Sequence, residues 1–141
     1  MKRLIILILF PFVAILSCSI KGDDDSKQIC KDVIIDNEQH RNAQSNTFEI
    51  IGITSEKNCL KITIRYGGGC GEVNAELVDS GDILESDPVQ RNLRVVFVDD
   101  DACEALIQKD FLFDITNLQI ENNDRVLLKF QGSDLTYLYE Y

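Results

Sequence analysis

Short runs of alternating apolar and polar residues recur along this chain, and they constrain its fold more than any other feature. Residues 61–66 alternate throughout, and the same period of two recurs at 93–97, 111–115, 126–130 and 135–141. A period of two is typical of a half-buried β-strand, whereas an amphipathic helix repeats every 3.6 residues. The chain is therefore expected to be all-β. The inward-facing positions predict a core built from Phe48, Ile62, Ile64, Leu93, Val95, Phe97, Phe111, Phe113, Leu128 and Phe130.

Clusters of glycine, aspartate, asparagine and serine separate these runs and predict tight turns, at 67–69, 80–82, 99–101, 122–124 and 132–134. Short strands at this spacing indicate an antiparallel β-sandwich of seven or eight strands, with Greek-key or immunoglobulin-like connections. A small β-barrel is the alternative fold. Residues 101–108 carry apolar residues at helical spacing behind acidic ones, so this segment predicts either a short helix or a short strand.

The N-terminus has the features of a lipoprotein signal peptide. Two basic residues precede an apolar run at 4–16, which is shorter than the roughly 20 residues that a membrane-spanning helix needs. The run ends on Ile15-Leu16-Ser17-Cys18, which resembles the lipobox that signal peptidase II recognises. We therefore expect removal of residues 1–17 and attachment of diacylglycerol to the Cys18 thiol, which would anchor the chain to a membrane.

The residues after Cys18 predict a tether followed by a single domain. Residues 18–29 are polar and acidic, which is typical of a flexible segment, and residues 30–141 form the expected β-domain. The acidic cluster at 23–25 resembles a signal that directs lipoproteins to the outer face of the outer membrane. The alternative is that these three aspartates only keep the linker solvated.

The charge of the chain bears on its partners. Its net charge is −10, and removal of residues 1–17 takes away Lys2 and Arg3 but no acid, which gives −12. A chain this acidic repels phosphate backbones, so we do not expect it to bind nucleic acid. No cofactor-binding motif is present, and no cofactor is expected.

Four cysteines remain in the expected domain: Cys30, Cys59, Cys70 and Cys103. They lack the close C-x₂₋₄-C spacing of a zinc site, and the chain has a single histidine. An even number of cysteines in an exported domain therefore predicts two disulfides.

The strand pattern narrows the pairing of these cysteines. An extended segment at 60–66 spans roughly 20 Å, and this separates Cys59 from Cys70 by more than a disulfide permits. We predict the pairs Cys30–Cys59 and Cys70–Cys103, on the assumption that 47–53 runs antiparallel to both the segment near 32 and the segment near 60. The opposite strand direction would give Cys30–Cys70 and Cys59–Cys103.

Two groups of residues are candidates for ligand sites. Asp99, Asp100 and Asp101 could supply oxygen ligands to Ca²⁺, although neighbouring carboxylates point apart, and a solvated turn is the ordinary alternative. Four tyrosines could stack on sugar rings if they were exposed, whereas half-buried packing with hydroxyls at the rim is the more common arrangement. These are Tyr66, Tyr137, Tyr139 and Tyr141.

Three other motifs predict no chemistry. The glycine-rich segment 67–72 lacks the lysine of a phosphate-binding loop. The Asp-Ser-Gly sequence at 79–81 has the form of an aspartic-protease turn, but the glycine motif that should follow it comes earlier in the chain. His40 lies in a polar segment and is expected at the surface.

Several segments resemble a group of small lipoproteins from Bacteroidetes-type bacteria. The resemblance is carried by Gly68-Gly69-Cys70-Gly71, Ala102-Cys103-Glu104-Ala105, Leu138-Tyr139-Glu140-Tyr141 and the stretches 59–62, 77–80, 90–94 and 113–119. It implies a single exported domain on a lipid anchor at the outer membrane, and it implies no particular chemistry.

Taken together, these features favour a lipid-anchored, non-enzymatic module that binds a protein or glycan ligand. The alternative is a small hydrolase of envelope or dietary polymers that uses a pair of carboxylates. Two carboxylates 5–9 Å apart in a cleft would indicate such a hydrolase.

Overall fold

The computed structural model describes residues 29–100 and 102–141. Nine strands and one short α-helix account for most of this part of the chain. The strands are β1 (Lys31–Asp32), β2 (Ile34–Ile35), β3 (Glu49–Glu56), β4 (Cys59–Gly68), β5 (Val73–Leu84), β6 (Gln90–Asp99), β7 (Ala105–Asp114), β8 (Arg125–Phe130) and β9 (Thr136–Glu140). The helix is α1 (Asn37–Asn42), and a single 3₁₀ turn spans Thr116–Leu118.

The strands form two open sheets, which confirms the predicted sandwich over the barrel. One sheet has the order β1-β7-β4-β3, and the other has the order β2-β5-β6-β8-β9. The prediction of a purely antiparallel fold is wrong at three pairs, since β1–β7, β2–β5 and β6–β8 are parallel. The β6–β8 pair is parallel because the chain leaves β6, crosses to the other sheet as β7 and then returns. Nine strands, rather than seven or eight, lie in the described part.

The apolar faces predicted from the sequence meet between the two sheets. Ile62 and Ile64 of β4 are completely buried, as are Leu93 and Phe97 of β6. Of the ten expected core residues, only Phe48 is partly exposed, and its ring packs edge-on against Phe97 at a centroid distance of 5.7 Å. Burying an aliphatic or aromatic side chain of this kind contributes roughly 1.5–3 kcal/mol, so the fold is stabilised mainly by this core.

The helix lies at a different place from the one considered in the sequence. Residues 105–108 of the candidate helical segment belong to β7, as the alternative prediction had it, because β7 pairs with β4 over its whole length. The actual helix, α1, starts at Asp36, whose side chain accepts a hydrogen bond from the Gln39 N–H at 2.9 Å. No helix in residues 29–100 and 102–141 is long and apolar enough to cross a membrane.

Two disulfides connect Cys30 to Cys59 and Cys70 to Cys103, with Cα separations of 6.0 Å and 5.8 Å. These are the pairs that the sequence favoured, and they lie at opposite ends of β4, as its length requires. The assumption behind the choice was wrong, however. Since β1 is parallel to β7 and β7 is antiparallel to β4, β1 runs opposite to β4.

Candidate functional site

A notch in the edge of β6 is the most distinctive feature of the described surface. β8 pairs with β6 only as far as Leu93, where the Gln131 N–H donates to the Leu93 carbonyl at 2.8 Å. Beyond it, the segment 43–48 takes over, and the Asn46 N–H donates to the Phe97 carbonyl at 2.8 Å. Val95 lies between these two residues of β6, and its main chain bonds neither to β8 nor to the segment 43–48.

The main chain of Val95 opens into this notch. Alternate residues of a strand direct their N–H and C=O groups to the same side. The main-chain groups of Val95 therefore point to the same edge of β6 as those of Leu93 and Phe97. The described residues provide no main-chain partner for it on that side. The notch has a volume of about 270 Å³, and residues 45–48, Ile50, Arg94, Val95, Gln131 and Gly132 line it.

Two neighbouring depressions extend the notch into a groove around the end of β8, which we call the β8 groove. On the β3 side, a depression of about 450 Å³ is lined by 49–51 and 132–135 and shares Ile50 and Gly132 with the notch. On the helix side, a depression of about 240 Å³ shares Gln131 with it. Its other lining residues are His40, Asn92, Lys129 and Phe130.

The β3 side of the groove lies where two edge strands meet. The chain passes directly from β1 to β2, which puts those two edges on one side of the sandwich and β3 and β9 on the other. A hydrogen bond between the hydroxyls of Ser55 and Tyr137 joins β3 to β9 at one end. The first residues of β3 and the loop that leads into β9 border the 450 Å³ depression. Unpaired strand edges are ready templates for an added strand.

The helix side of the groove carries positive charge. Arg94 donates to the main-chain carbonyls of His40 at 2.8 Å and Ala43 at 2.7 Å, so it closes the C-terminus of α1. It forms no ion pair with a carboxylate in residues 29–100 and 102–141. Lys129 forms no ion pair with any described carboxylate. By contrast, Arg65, Arg91 and Arg125 each pair with an acid.

His40 corrects the expectation of an ordinary surface histidine. It is only partly exposed, and its Nε2 atom is buried without a hydrogen-bond partner in the described residues. Burial lowers the pKa of His40 below its ordinary value of 6.5, and the positive charge of Arg94 lowers it further. Its imidazole is therefore neutral at pH 7.

The tyrosines do not form the exposed stripe that sugar stacking requires. Tyr66 and Tyr139 are buried, with 6% and 2% of their surface exposed. Tyr66 packs on Phe97, and the Tyr139 hydroxyl bonds to Gln119 and Asn58, each at 2.8 Å. Tyr137 bonds to Ser55, and Tyr141 accepts from the Ile120 N–H at 2.8 Å. The hydroxyls of Tyr139 and Tyr141 hold loops to the sheet. Because Tyr66 and Tyr139 are buried, the four tyrosines do not form one face on which a sugar could stack.

The acidic turn gives no metal site among the described residues. Asp99 ends β6, Asp100 follows it, and Asp101 lies outside the described residues. No group of three or more His, Cys, Asp or Glu side chains in 29–100 and 102–141 is arranged to hold a metal ion. Cys18 and residues 23–25 also lie outside the described part.

The structure contains a buried ion pair that the sequence analysis missed. Asp79 is completely buried, and its carboxylate accepts a hydrogen bond from the guanidinium of Arg91, which is 7% exposed. Arg91 also donates from Nε to the Leu118 carbonyl at 3.0 Å. Burial raises the pKa of the Asp79 carboxyl, and the charge of Arg91 opposes this. The sequence did contain a signal for this pair. In the two-residue alternation, Asp79 falls on the same inward face as Leu77, and Arg91 on the same inward face as Leu93.

The carboxylates that border the β8 groove in the described part of the chain are Glu49 and Asp134, both on its β3 side, and the Glu49 carboxylate is paired with Arg65. Asp79 borders none of the three depressions. The arrangement can therefore bind a ligand through main-chain groups and cations.

No family model and no curated protein matches the sequence. Two solved structures share its fold. One is a protein of unknown function, DUF1344, from Bacteroides vulgatus ATCC 8482, which is 13% identical with a TM-score of 0.55 over 79% of this chain and 56% of its own. The other, provisionally described as toxin-related, comes from Parabacteroides distasonis ATCC 8503 and is 16% identical with a TM-score of 0.52, over 80% of this chain and 60% of its own. The chain thus spans less than two thirds of either neighbour, and the likeness shows the fold alone.

Proposed function

We propose that this chain is an outer-membrane lipoprotein, anchored by lipid on Cys18, whose β-sandwich binds a ligand at the β8 groove without catalysing a reaction. The signal-like residues 1–17 and the acidic cluster at 23–25 support the proposed location at the outer membrane. Both solved neighbours come from Bacteroides or Parabacteroides, which agrees with the bacterial group that the sequence resembles.

The open main chain of Val95 is the observation that carries the binding role. A strand whose N–H and C=O groups face a concave, lined cavity offers two hydrogen bonds that a ligand can complete. The partly exposed ring of Phe48 beside it offers an apolar surface to bury, and Arg94 and Gln131 offer polar contacts. Ligand sites typically combine concave apolar surface with a few such polar groups.

Chemical-shift mapping on the ¹⁵N-labelled full chain in detergent micelles would test this role. The probes are a blocked five-residue peptide of alternating Thr and Val and the sugar tetra-N-acetylchitotetraose. We expect at least one of them to shift the amide signals of Val95 and Gln131 and to be recovered uncleaved. Cleavage of a bound probe would contradict the non-enzymatic role.

A matched pair of variants separates the groove from the rest of the surface. Thr47 is exposed and lines the notch, so Thr47→Trp should fill it and abolish the shifts. Thr54 is exposed on the outer face of the other sheet, so Thr54→Trp should leave them unchanged. Equal binding by both variants, or no shift at Val95 with any probe, would show that the groove is not a binding site.

A further inference from the structure

We propose that the ligand of the β8 groove is an extended acidic peptide, which adds to β6 at Val95 and directs a carboxylate to Arg94 and Lys129. The inference rests on the binding role proposed above and names the class of ligand. Three features of the groove carry it: the length of the gap, the direction of the open groups and the charge beside them.

The gap admits one residue of an added strand. Leu93 and Phe97 already have partners, and they lie four residue steps apart along β6, which is roughly 13 Å. Val95 is the residue between them whose main-chain groups face the notch. A ligand in this gap therefore pairs with β6 through a single residue and continues on either side.

The direction of the open groups favours a peptide over an acetylated sugar. The N–H and C=O of one strand residue point to the same side, so a peptide residue opposite Val95 presents both groups to it at once. In an acetamido group, as in any trans amide, the N–H and C=O point in opposite directions. Such a group can meet only one of the two main-chain groups of Val95.

The alternation of side chains then specifies the peptide. The Val95 side chain is inward and only 4% exposed, so the peptide residue opposite it points inward, toward Phe48 and Ile50. This residue should be apolar. The next peptide residue points to the outer face of the sheet, where Arg94 lies.

The charge beside the notch selects an acid at that outer position. Arg94 has five N–H donors, of which two bind the carbonyls of His40 and Ala43. Lys129 lies on the outer face, opposite Asn92 in the β6–β8 register, and borders the same groove. Two cations that no described carboxylate neutralises, in a chain of net charge −10, favour an anionic side chain there.

Affinity measurements with three blocked probes on the full chain would test this assignment. These are the peptide Thr-Glu-Val-Glu-Thr, its counterpart Thr-Gln-Val-Gln-Thr, and tetra-N-acetylchitotetraose. We expect the Glu peptide to bind about 3-fold or more tightly than the Gln peptide at 0.15 M salt, with the difference shrinking at 1 M salt. Both peptides should shift the Val95 amide.

Charge reversal at Lys129 provides a second test of the acidic-peptide proposal. Lys129→Glu should weaken the Glu peptide about 3-fold or more and leave the Gln peptide nearly unchanged, because only the former carries the complementary charge. Lys57→Glu is the matched control, since it changes the net charge equally in the turn at the far end of β3. Both substitutions are on exposed side chains, so the fold should survive.

The outcomes distinguish the two proposals. Equal binding of the two peptides, or tighter binding of the sugar at Val95, would overturn the acidic-peptide assignment and leave the binding role standing. Inorganic phosphate that displaces the Glu peptide at equal concentration would also overturn it, since main-chain pairing would then add nothing. Failure of every probe at Val95 would overturn the binding role itself.

Discussion

At the scale of single residues, Asp79 is the group whose position is hardest to reconcile with an apolar core. Its Oδ1 atom is buried and has no hydrogen-bond partner among the described residues, and its other oxygen depends on Arg91. Removing charges from water costs several kcal/mol per ion, so a buried pair adds little net stability. Loss of one member alone is different, because the other charge is then left buried and uncompensated.

This asymmetry can be tested with single and double substitutions. Asp79→Ala should lower the free energy of unfolding by about 3–5 kcal/mol, whereas Asp79→Leu combined with Arg91→Met should recover most of that loss. Recovery should be incomplete, since the Leu118 carbonyl loses its donor. Urea unfolding with the disulfides intact measures both.

The exposed pair of Arg125 and Asp87 provides the control for this experiment. Arg125→Met should change stability by less than about 1 kcal/mol. If Asp79→Ala behaved like Arg125→Met, the carboxylate of Asp79 would not depend on its buried partner.

His40 gives a second residue-scale prediction, on pH. Because burial and Arg94 hold its pKa below 6.5, the unfolded chain binds a proton at a pH where the folded chain does not. Unfolding then takes up a proton, so this contribution to stability is present above pH 6.5 and is lost as the pH falls toward the folded-state pKa. Urea midpoints should therefore rise with pH across this window, and His40→Gln should reduce the rise.

The titration of the histidine ring can be followed directly by NMR, since the chain contains one histidine. A midpoint at or above 6.5 would contradict the buried position of Nε2. An unchanged pH dependence in His40→Gln would mean that a group other than His40 causes the rise. Asp79 could not be that group, because its raised pKa would make stability fall as the pH rises.

At the scale of elements, the sequence predicted strands well where one face is buried and the other is wet. The alternation at 61–66 lies within β4, and the predicted faces of β6 and β8 are both buried as expected. At segment 80–82, local composition does not predict the structure. The segment carries turn residues, but β5 passes through it with a bulge, where Gly81 has a φ of +81°. Glycine and aspartate serve turns and bulges equally, so local composition cannot separate the two.

The β8 groove could not be predicted from local patterns for a related reason. It exists because β8 ends opposite Leu93 while β6 continues, and because the segment 43–48 resumes pairing only at Phe97. Both facts depend on which strands become neighbours. The alternation along β6 puts Arg94 on the outer face, but its bonds to the end of α1 require the helix to lie there.

The disulfides lead to the element-scale prediction. Each bridge spans a similar length of chain, with sequence separations of 29 and 33. Replacing either pair with serine should therefore cost about 3–4 kcal/mol in the chain-entropy model, with similar values for the two. Non-reducing peptide mapping should recover a peptide that links Cys30 to Cys59. Recovery of one that links Cys30 to Cys70 would contradict this pairing.

At the scale of the whole molecule, the net charge of the chain is negative, whereas the local charge on the helix side of the groove is positive. The chain carries −10, yet Arg94 and Lys129 bring positive charge to the helix side of the groove. The overall charge repels anionic lipid, so a domain next to a membrane would be held off its surface by a tether. If residues 18–29 form the expected tether, Cys30 lies at most about 40 Å from Cys18.

The lipid anchor is the basis of that picture, and one substitution tests it. Ile15-Leu16-Ser17-Cys18 follows an apolar run that is too short to span a membrane, so Cys18→Ala should leave an uncleaved and unlipidated precursor. Metabolic labelling with a palmitate analogue should mark the wild-type chain and not this variant. Replacing Cys70 and Cys103 together with serine is the matched control: these sulfurs form a bridge, so the label should remain. Equal labelling of Cys18→Ala and wild type would show that the lipid, if any, is carried elsewhere and that the proposed anchor is wrong.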